Sequence, residues 1–300
     1  MGIWPVVKAA FEVVRDPRHR YYYRQRRVEN IEARERWAAR VAQRLPVFSG
    51  EASDLAGPLQ RDGIAHLPQL LSSDQVRAMR TYFEGQRSSD PYRPRLGSFI
   101  APKDAPKETH VAFFSNEVAV EAPFGLKVAN DSRVLSAVSA ALGAKPTISY
   151  MTAWWSLPGH GEAEQAELFH RDYDDLRFVK LFLYLTDVDE RSGPHAFVRG
   201  SHRNSKLLPR LRYAEEEVGR EYPAEDHLRM EGKAGTAFLE NTFGLHRGIP
   251  PVSKPRLIFQ VLYSLRPFIG GPRRPLRTVS RVHEGTALDP YINRSYCVVR

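Results

Sequence analysis

The spacing of the apolar residues changes near the middle of the chain. In the first half, apolar residues recur every three or four positions, as they do along one face of a helix. The stretches with this period lie at 3–14, 28–44, 73–83 and 131–143. The first half is therefore predicted to be mainly helical.

From about Pro146 onward, the apolar runs are short, aromatic and β-branched, and turn-forming residues separate them. The runs are TISYMTAWWSL, FVKLFLYLTDV, HAFVRGS, GTAFLEN and RLIFQVLYSL. Runs of this composition and length are typical of strands. Helices followed by strands predict an α+β chain whose second half is a sandwich or a jelly roll.

A histidine and a carboxylate stand two positions apart just before the second of these strand runs. Residues i and i+2 of an extended chain point to the same side, so His170 and Asp172 would converge on one point. One further ligand from another strand would complete the two-histidine, one-carboxylate triad of non-haem Fe(II) oxygenases. A His-x-Asp pair is common by chance, and the alternative is a solvated turn that includes Asp174 and Asp175.

The best candidate for the third ligand is His246, one of ten histidines in the chain. It follows one strand run and precedes another, ten residues before Arg256. An arginine at the head of that strand could bind the distal carboxylate of a keto-diacid through two parallel hydrogen bonds. Taken alone, His246 is more typical of a loop or core histidine, so the indication comes from the order of all four residues.

Other residues of the strand-rich half each have two interpretations. Lys180 alternates with Phe182 and Tyr184 on one strand face, and inside a barrel it would need an anionic partner such as the co-substrate. The alternative is a lysine on an edge strand that faces water. Trp154 and Trp155 are adjacent, so one ring is expected to point outward and the other inward, towards the core or a substrate pocket. Two more histidines are interpreted as structural or as part of the substrate rim, namely His195 and His202.

The chain resembles the phytanoyl-CoA dioxygenase family of Fe(II)- and 2-oxoglutarate-dependent oxygenases over roughly residues 55–265. The segments that carry the resemblance are LQRDGIAHLPQLLSSDQVRAMRTYFE, FHRDYDD, FLYLTDVDERSGPHAFVRGSHR and GLHRGIPPVSKPRLIFQVLYS. It implies a double-stranded β-helix, a jelly-roll or cupin-like core, with flanking helices. It also implies iron on His170, Asp172 and His246, 2-oxoglutarate on Arg256, and O2 as the other co-substrate.

The reaction implied by the resemblance is hydroxylation of an unactivated C–H bond, with release of succinate and CO2. The expected substrate is a small molecule, or one linked to a lipid or glycan, and the composition of the loops at 86–115 and 203–230 does not identify it. Halogenation is disfavoured because Asp172 occupies the position that a halide would need. In many relatives a glycine-serine pair follows the distal histidine, whereas this chain has Arg247 and Gly248.

The net charge of +9 is concentrated at the two ends of the chain. Residues 1–45 contain 11 Lys and Arg against 5 Asp and Glu, and residues 266–300 contain 7 against 2. Residues 46–265 contain 26 against 28, which argues against nucleic acid as a partner because its binding surface should be basic. We therefore divide the chain into a basic helical N-terminal extension, 1–45, an oxygenase domain, 46–265, and a basic C-terminal tail, 266–300.

The N-terminal extension begins with an apolar stripe next to basic residues. The stripe consists of Trp4, Val7, Phe11 and Val14. Such a helix either docks on the domain or on a second copy, or it lies on an anionic membrane surface or an acidic partner.

Cysteine content and hydropathy favour a cytoplasmic protein, with contact at the membrane surface as the remaining alternative. Cys297 is the one cysteine, which excludes an internal disulfide framework and a zinc site with several cysteines. No run of about 18 apolar residues is present, and the first residues do not have the pattern of a signal peptide. The main rival function is a non-catalytic β-sandwich binding module with basic arms. A zinc hydrolase is disfavoured because it has no use for Arg256.

Overall fold

A computed structural model describes residues 16–209 and 211–300. The helices in this part of the chain are α1 (Pro17–Arg26), α2 (Ile31–Ala42), α3 (Ala56–Asp62), α4 (Ser73–Glu84), α5 (Asn116–Glu121), α6 (Gly125–Ala129), α7 (Ser132–Leu142), α8 (Glu215–Glu221) and α9 (Pro290–Asn293). Helices α2, α4 and α7 confirm three of the four predicted helical stretches. The fourth, at 3–14, lies outside the described residues, as does the apolar stripe that it carries.

Helix α4 begins where the sequence predicts because its first turn is capped. The Ser72 side chain accepts a hydrogen bond from the Gln75 backbone N–H, and the Gln75 side chain accepts one from the Ser72 N–H. This reciprocal capping box satisfies two backbone donors that the helix itself leaves unpaired. The other predicted helices have side-chain caps as well, from Asn30 for α2 and from Asp131 for α7.

The strands fall mostly in the second half, as predicted. They are β1 (Ile64–His66), β2 (Ser88–Ser89), β3 (Ser98–Phe99), β4 (Val111–Phe113), β5 (Thr147–Ser156), β6 (Phe178–Tyr184), β7 (His195–Val198), β8 (His227–Met230), β9 (Ala237–Glu240), β10 (His246–Gly248), β11 (Arg256–Ser264), β12 (Arg277–Val279), β13 (Val282–His283), β14 (Thr286–Ala287) and β15 (Cys297–Val299). The five predicted strand runs correspond to β5, β6, β7, β9 and β11.

The main sheet is antiparallel and has the strand order β1-β9-β6-β11-β5-β4-β2-β3. Strand β11 lies in its middle, between β5 and β6, and all nine residues of β11 are buried. A smaller antiparallel sheet has the order β10-β7-β8. Near the C-terminal end of the chain, β12 pairs with β15 and β13 pairs with β14.

The two faces of the main sheet have different neighbours because successive strand residues point to opposite sides. On β6, Leu181 and Leu183 belong to the large apolar core that the helices cover. Phe182 and Tyr184 point the other way and pack with Phe197 of the smaller sheet. The two sheets therefore enclose a second, smaller core, and the chain has the predicted α+β jelly-roll fold with flanking helices.

Both basic end segments contribute to the large core. Ala38 and Val41 of α2 belong to it, and so do Ile292, Tyr296 and Cys297 near the other end. The division at residues 45 and 265 thus describes the charge of the sequence, whereas the core is continuous across both boundaries. None of the helices described is both long enough and apolar enough to cross a membrane.

Candidate metal centre and its cavity

The extended segment before β6 brings the predicted histidines together. The His170 backbone N–H donates to the His246 carbonyl at 3.0 Å, and the His246 N–H donates back to the His170 carbonyl at 3.0 Å. Two residues further, the Asp172 N–H donates to the Thr242 carbonyl at 2.8 Å. Because this segment is extended and paired with the chain around β10, His170 and Asp172 point to the same side as His246.

Three potential ligand atoms converge at this point. The Nε2 atom of His170 lies 3.8 Å from Asp172 Oδ1, and His246 Nε2 lies 3.2 Å from Asp172 Oδ2. One donor atom from each of the three side chains lies within 4.8 Å of the others, so the group could hold a metal ion. Two imidazoles and one carboxylate are the donor set that suits Fe(II) in oxygenases, so the residues present fit that metal.

Backbone hydrogen bonds fix the orientation of both imidazole rings. His170 Nδ1 lies 2.9 Å from the Leu168 carbonyl, and His246 Nδ1 lies 3.0 Å from the Gly244 carbonyl. Since a carbonyl only accepts, each Nδ1 carries a proton, and Nε2 is the ring atom that faces Asp172. Hydrogen bonds of this kind on the far side of the ring orient metal-binding histidines in general.

The protonation states also suit metal binding. Burial, together with the neighbouring His246 ring, holds the pKa of His170 well below its ordinary value, so this ring is neutral. Burial by itself would raise the pKa of Asp172, but Lys180 and His246 outweigh it and hold that pKa well below its ordinary value. The site thus has an ionised carboxylate and a neutral imidazole, the forms that bind a metal ion.

Lys180 lies in the interior of the jelly roll, next to the candidate metal ligands. Its Nζ donates to Asp172 Oδ2 at 2.6 Å and forms an ion pair with Asp174 Oδ2 at 2.9 Å. Burial by itself would lower the pKa of Lys180, but the two carboxylates outweigh burial. The pKa is therefore raised above its ordinary value, and the side chain stays charged. The interpretation of an edge-strand lysine facing water is therefore wrong, and the anionic partners of Lys180 belong to the protein itself.

Arg256 begins β11 and is only 2% exposed. Its Nη2 donates to Ser156 Oγ at 3.1 Å, while Nε and Nη1 have no hydrogen-bond partner among the described residues. Burial lowers the pKa of this guanidinium. A buried cation without a carboxylate partner is costly, so this side chain is suited to an anionic ligand.

Ser156 was not singled out from the sequence. It ends β5 and stands opposite Arg256 in the strand register. Two residues after His246 this chain has Gly248, and the hydroxyl beside Arg256 comes from β5. The register of β5 against β11 is the signal that would have identified Ser156.

A cavity of about 360 Å³ connects these residues. All five predicted site residues line it, namely His170, Asp172, Lys180, His246 and Arg256. Phe113 and Trp154 form part of its wall, with their rings stacked at a centroid distance of 5.2 Å. Of the two adjacent tryptophans, Trp155 belongs to the core and Trp154 lines the cavity. The two rings face opposite ways as expected, but the second points into the cavity and not outward.

A buried His195–Glu240 pair stands behind the candidate ligands. His195 Nε2 lies 3.1 Å from Glu240 Oε1, and the His195 ring is stacked on His246 with centroids 5.7 Å apart. Burial raises the pKa of Glu240 to about 8 and lowers that of His195 to about 3, so both are neutral near pH 7. His195, interpreted from the sequence as structural or as part of the substrate rim, lines the cavity. The sequence does not indicate Glu240, because its run, GTAFLEN, predicts only a buried strand.

A jelly roll that places two imidazoles and a carboxylate together, with a buried arginine in the same cavity, has the arrangement of a non-haem Fe(II) oxygenase. The chain belongs to the phytanoyl-CoA dioxygenase (PhyH) family, which matches residues 59–253. The protein is thus an Fe(II)- and 2-oxoglutarate-dependent oxygenase, and the predicted family and cofactors are confirmed. No curated protein matches the chain by sequence.

Solved structures share the fold at low sequence identity. HygX from Streptomyces hygroscopicus, with nickel and 2-oxoglutarate bound, is 14% identical, with a TM-score of 0.52 over 82% of this chain and 97% of HygX. EctD from S. alaskensis, with 2-oxoglutarate and 5-hydroxyectoine, is 17% identical, with a TM-score of 0.50 over 84% of this chain and 89% of EctD. These similarities show a common fold.

Proposed function

We propose that this family member hydroxylates a C–H bond of a small-molecule substrate, consuming O2 and 2-oxoglutarate and releasing succinate and CO2. The observation that supports this most strongly is that the three candidate ligands and the buried Arg256 line the same cavity. A catalytic metal site needs coordination positions that no protein ligand fills. Three ligands grouped on one side of an ion would leave such positions on the side of the cavity.

In this proposal iron is held by His170 Nε2, His246 Nε2 and one oxygen of Asp172. When bound, iron together with 2-oxoglutarate supplies the activation of O2. The contribution of the chain is to present the three ligands already aligned. The Nδ1 hydrogen bonds to the Leu168 and Gly244 carbonyls hold both rings in place before any metal arrives.

Arg256 is proposed to bind the distal carboxylate of 2-oxoglutarate. A carboxylate meets a guanidinium along one edge, so a two-point contact would use Nη2 together with either Nη1 or Nε, both of which have no partner among the described residues, and Ser156 Oγ adds a hydroxyl next to Nη2. A charge-assisted, two-point contact in a site without water is strong and directional. It would orient the co-substrate so that its keto-acid end faces the triad.

The aromatic wall is proposed to exclude water and position the substrate. Phe113 and Trp154 present stacked rings to the cavity, and Phe182 of β6 lies edge-on to Trp154. A rigid apolar surface of this kind binds the apolar face of a small molecule and fixes which carbon is presented. Solved structures of HygX with hygromycin B and of EctD with 5-hydroxyectoine support a small molecule as the substrate class.

The proposal is tested with purified protein, Fe(II) and 2-oxoglutarate, by measuring succinate. Asp172→Ala should abolish Fe(II)-dependent turnover of 2-oxoglutarate, because it removes one of the three candidate iron ligands. The circular dichroism spectrum should stay unchanged, because Asp172 lies in an extended segment outside the helices and strands. Asp187→Ala, which removes a surface carboxylate paired with Lys233, is the control and should turn over normally. Wild-type turnover that does not depend on Fe(II), or turnover that survives in Asp172→Ala, would contradict the proposed site.

The reaction outcome is tested separately, by mass spectrometry of products from a panel of small molecules. Hydroxylation adds one oxygen atom from O2 to the substrate. A product of unchanged mass, or one that has lost two hydrogens, would replace hydroxylation by another oxidation at the same site.

A further inference from the structure

The segment that follows the candidate metal ligand Asp172 is held by the N-terminal helices. Gln25 Nε2 of α1 donates to the Tyr173 carbonyl at 2.5 Å, and Tyr21 Oη of the same helix donates to Asp175 Oδ1 at 2.6 Å. From α2, Arg34 Nη2 donates to the Asp175 carbonyl. We call Tyr21, Gln25 and Arg34 the N-terminal clamp.

Two of the three clamp residues, Gln25 and Arg34, are polar yet buried, and Tyr21 is partly buried. Gln25 is 0% exposed and Arg34 is 2% exposed. They are also bonded to each other, since Arg34 Nη1 donates to Gln25 Oε1 at 3.0 Å. An apolar helix face would dock at less desolvation cost, so docking by itself does not explain buried amide and guanidinium groups aimed at backbone carbonyls.

Arg34 contacts aromatic residues close in sequence to two of the candidate metal ligands, Asp172 and His246. Its guanidinium carbon lies 4.6 Å from the Phe243 ring centroid and 5.4 Å from that of Tyr173. Tyr173 directly follows Asp172, and Phe243 lies three residues before His246. One buried side chain thus contacts both segments that carry these two ligands.

The Asp175 carboxylate completes the connection to the sheet. Its Oδ2 accepts from the Arg266 N–H, just after β11, at 2.9 Å, and its Oδ1 accepts from the Leu176 N–H as well as from Tyr21. The segment 173–175 is therefore anchored to the sheet on one side and to the N-terminal clamp on the other.

We propose that the N-terminal clamp positions the metal-binding segment, an inference that rests on the proposed iron site. Tyr21, Gln25 and Arg34 are positioning residues that act on Asp172 and His246 through segments 173–175 and 243–246. All three lie outside residues 59–253, which match the family. The N-terminal helices are thus part of the metal centre of this chain, although they supply no ligand.

The test measures Mn(II) affinity, with Mn(II) as a redox-stable substitute for Fe(II), by electron paramagnetic resonance of the free ion. Arg34→Met and Gln25→Met remove the polar contacts but keep the apolar bulk of each side chain. Each should raise the Kd for Mn(II) by about tenfold or more, the effect typical of losing a residue that orients metal ligands. Tyr21→Phe removes a single hydroxyl and should raise the Kd less.

The matched control is Val41→Ala, which weakens docking of the same α2 helix without touching 173–175. It should lower the melting temperature while leaving the Mn(II) Kd within about twofold of wild type. All affinities are compared at a temperature where circular dichroism shows each variant fully folded. If Arg34→Met does not fold, Gln25→Met and Tyr21→Phe still decide the question.

The outcomes separate the clamp from the proposed function. If wild type binds Mn(II) and the clamp variants bind it as tightly as Val41→Ala does, the clamp only stabilises the fold and the inference fails. If wild type itself binds no Mn(II), both the iron site and the clamp are overturned. Weakened Mn(II) binding in the clamp variants, with an unchanged KM for 2-oxoglutarate at saturating metal, is the result expected of positioning residues.

Discussion

Arg256 combines deep burial with an incomplete set of hydrogen bonds. Arg256→Gln should raise the KM for 2-oxoglutarate at least about 30-fold, because losing one partner of a buried charge pair costs about 2–5 kcal/mol. The measurement is succinate production as a function of 2-oxoglutarate concentration at saturating Fe(II). An unchanged KM would mean that another residue binds the distal carboxylate.

Lys180 occupies part of the space in which a metal ion would meet Asp172, since its Nζ lies 2.6 Å from Oδ2. Lys180→Met should lower the unfolding free energy of the metal-free protein by about 3 kcal/mol, the lower end of the range for breaking a buried ion pair, because it leaves two partly buried carboxylates without their cation. The same variant should bind Mn(II) more tightly, because a competing cation is gone. Thermal unfolding with and without Mn(II) checks both expectations, and weaker metal binding would contradict the second.

The sequence-based prediction that Lys180 binds 2-oxoglutarate stays a prediction. The same variant tests it, because losing a co-substrate contact would raise the KM for 2-oxoglutarate. An unchanged KM would leave Lys180 as the partner of Asp172 and Asp174 only.

At the scale of elements, β10 approaches β11 closely enough to restrict Arg256. A Cβ atom added at Gly248 would lie 3.0 Å from Arg256 Nη2, tighter than ordinary contact. Gly248→Ala should therefore displace the guanidinium and raise the KM for 2-oxoglutarate on the order of tenfold, in line with about 1–3 kcal/mol for overpacking.

The control for Gly248→Ala is Gly57→Ala in α3, where an added Cβ would have nothing within 4 Å. Its KM should equal that of wild type. A Gly248→Ala enzyme with normal KM and reduced Mn(II) affinity would mean that β10 acts through His246 instead of Arg256.

At the scale of the whole molecule, the basic N-terminal extension has two parts that need separate tests: the helices α1 and α2, and the apolar stripe that precedes them in the sequence. Helices α1 and α2 contact the body through buried residues, so a deletion of 1–27 would disturb the segment after Asp172 as well as any surface contact. The membrane hypothesis concerns the apolar stripe at Trp4, Val7, Phe11 and Val14, and it needs a milder test.

The prediction is that the full chain binds anionic vesicles containing phosphatidylserine at low salt and that Trp4→Ser with Phe11→Ser reduces this binding strongly. Each basic residue near such a surface contributes about 1 kcal/mol, and the stripe adds an apolar contact. Co-sedimentation with anionic and with neutral vesicles measures it. If the unchanged protein does not bind anionic vesicles at low salt, the membrane hypothesis is abandoned.

Local patterns in the sequence determined the elements of this protein. The period of the apolar residues predicted α2, α4 and α7, and the β-branched and aromatic runs predicted β5, β6, β7, β9 and β11, because such patterns record which side of a segment is buried. The two-residue spacing of His170 and Asp172 already placed their side chains on one side of the chain. The order of the candidate residues along the chain, with a histidine after the His-x-Asp pair and an arginine ten residues later, then indicated His246 and Arg256.

Only the tertiary structure decided what these residues meet. The reciprocal pairing of His170 with His246, the ion pairs of Lys180 with Asp172 and Asp174, and the placement of Arg256 beside Ser156 all depend on segments far apart in sequence. Tyr21, Gln25 and Arg34 carry no motif, and they reach residues 173–175 across 141 to 154 positions of chain. A periodic pattern reports that a side chain is buried, but its partner is fixed by how the elements pack, which no local spacing records.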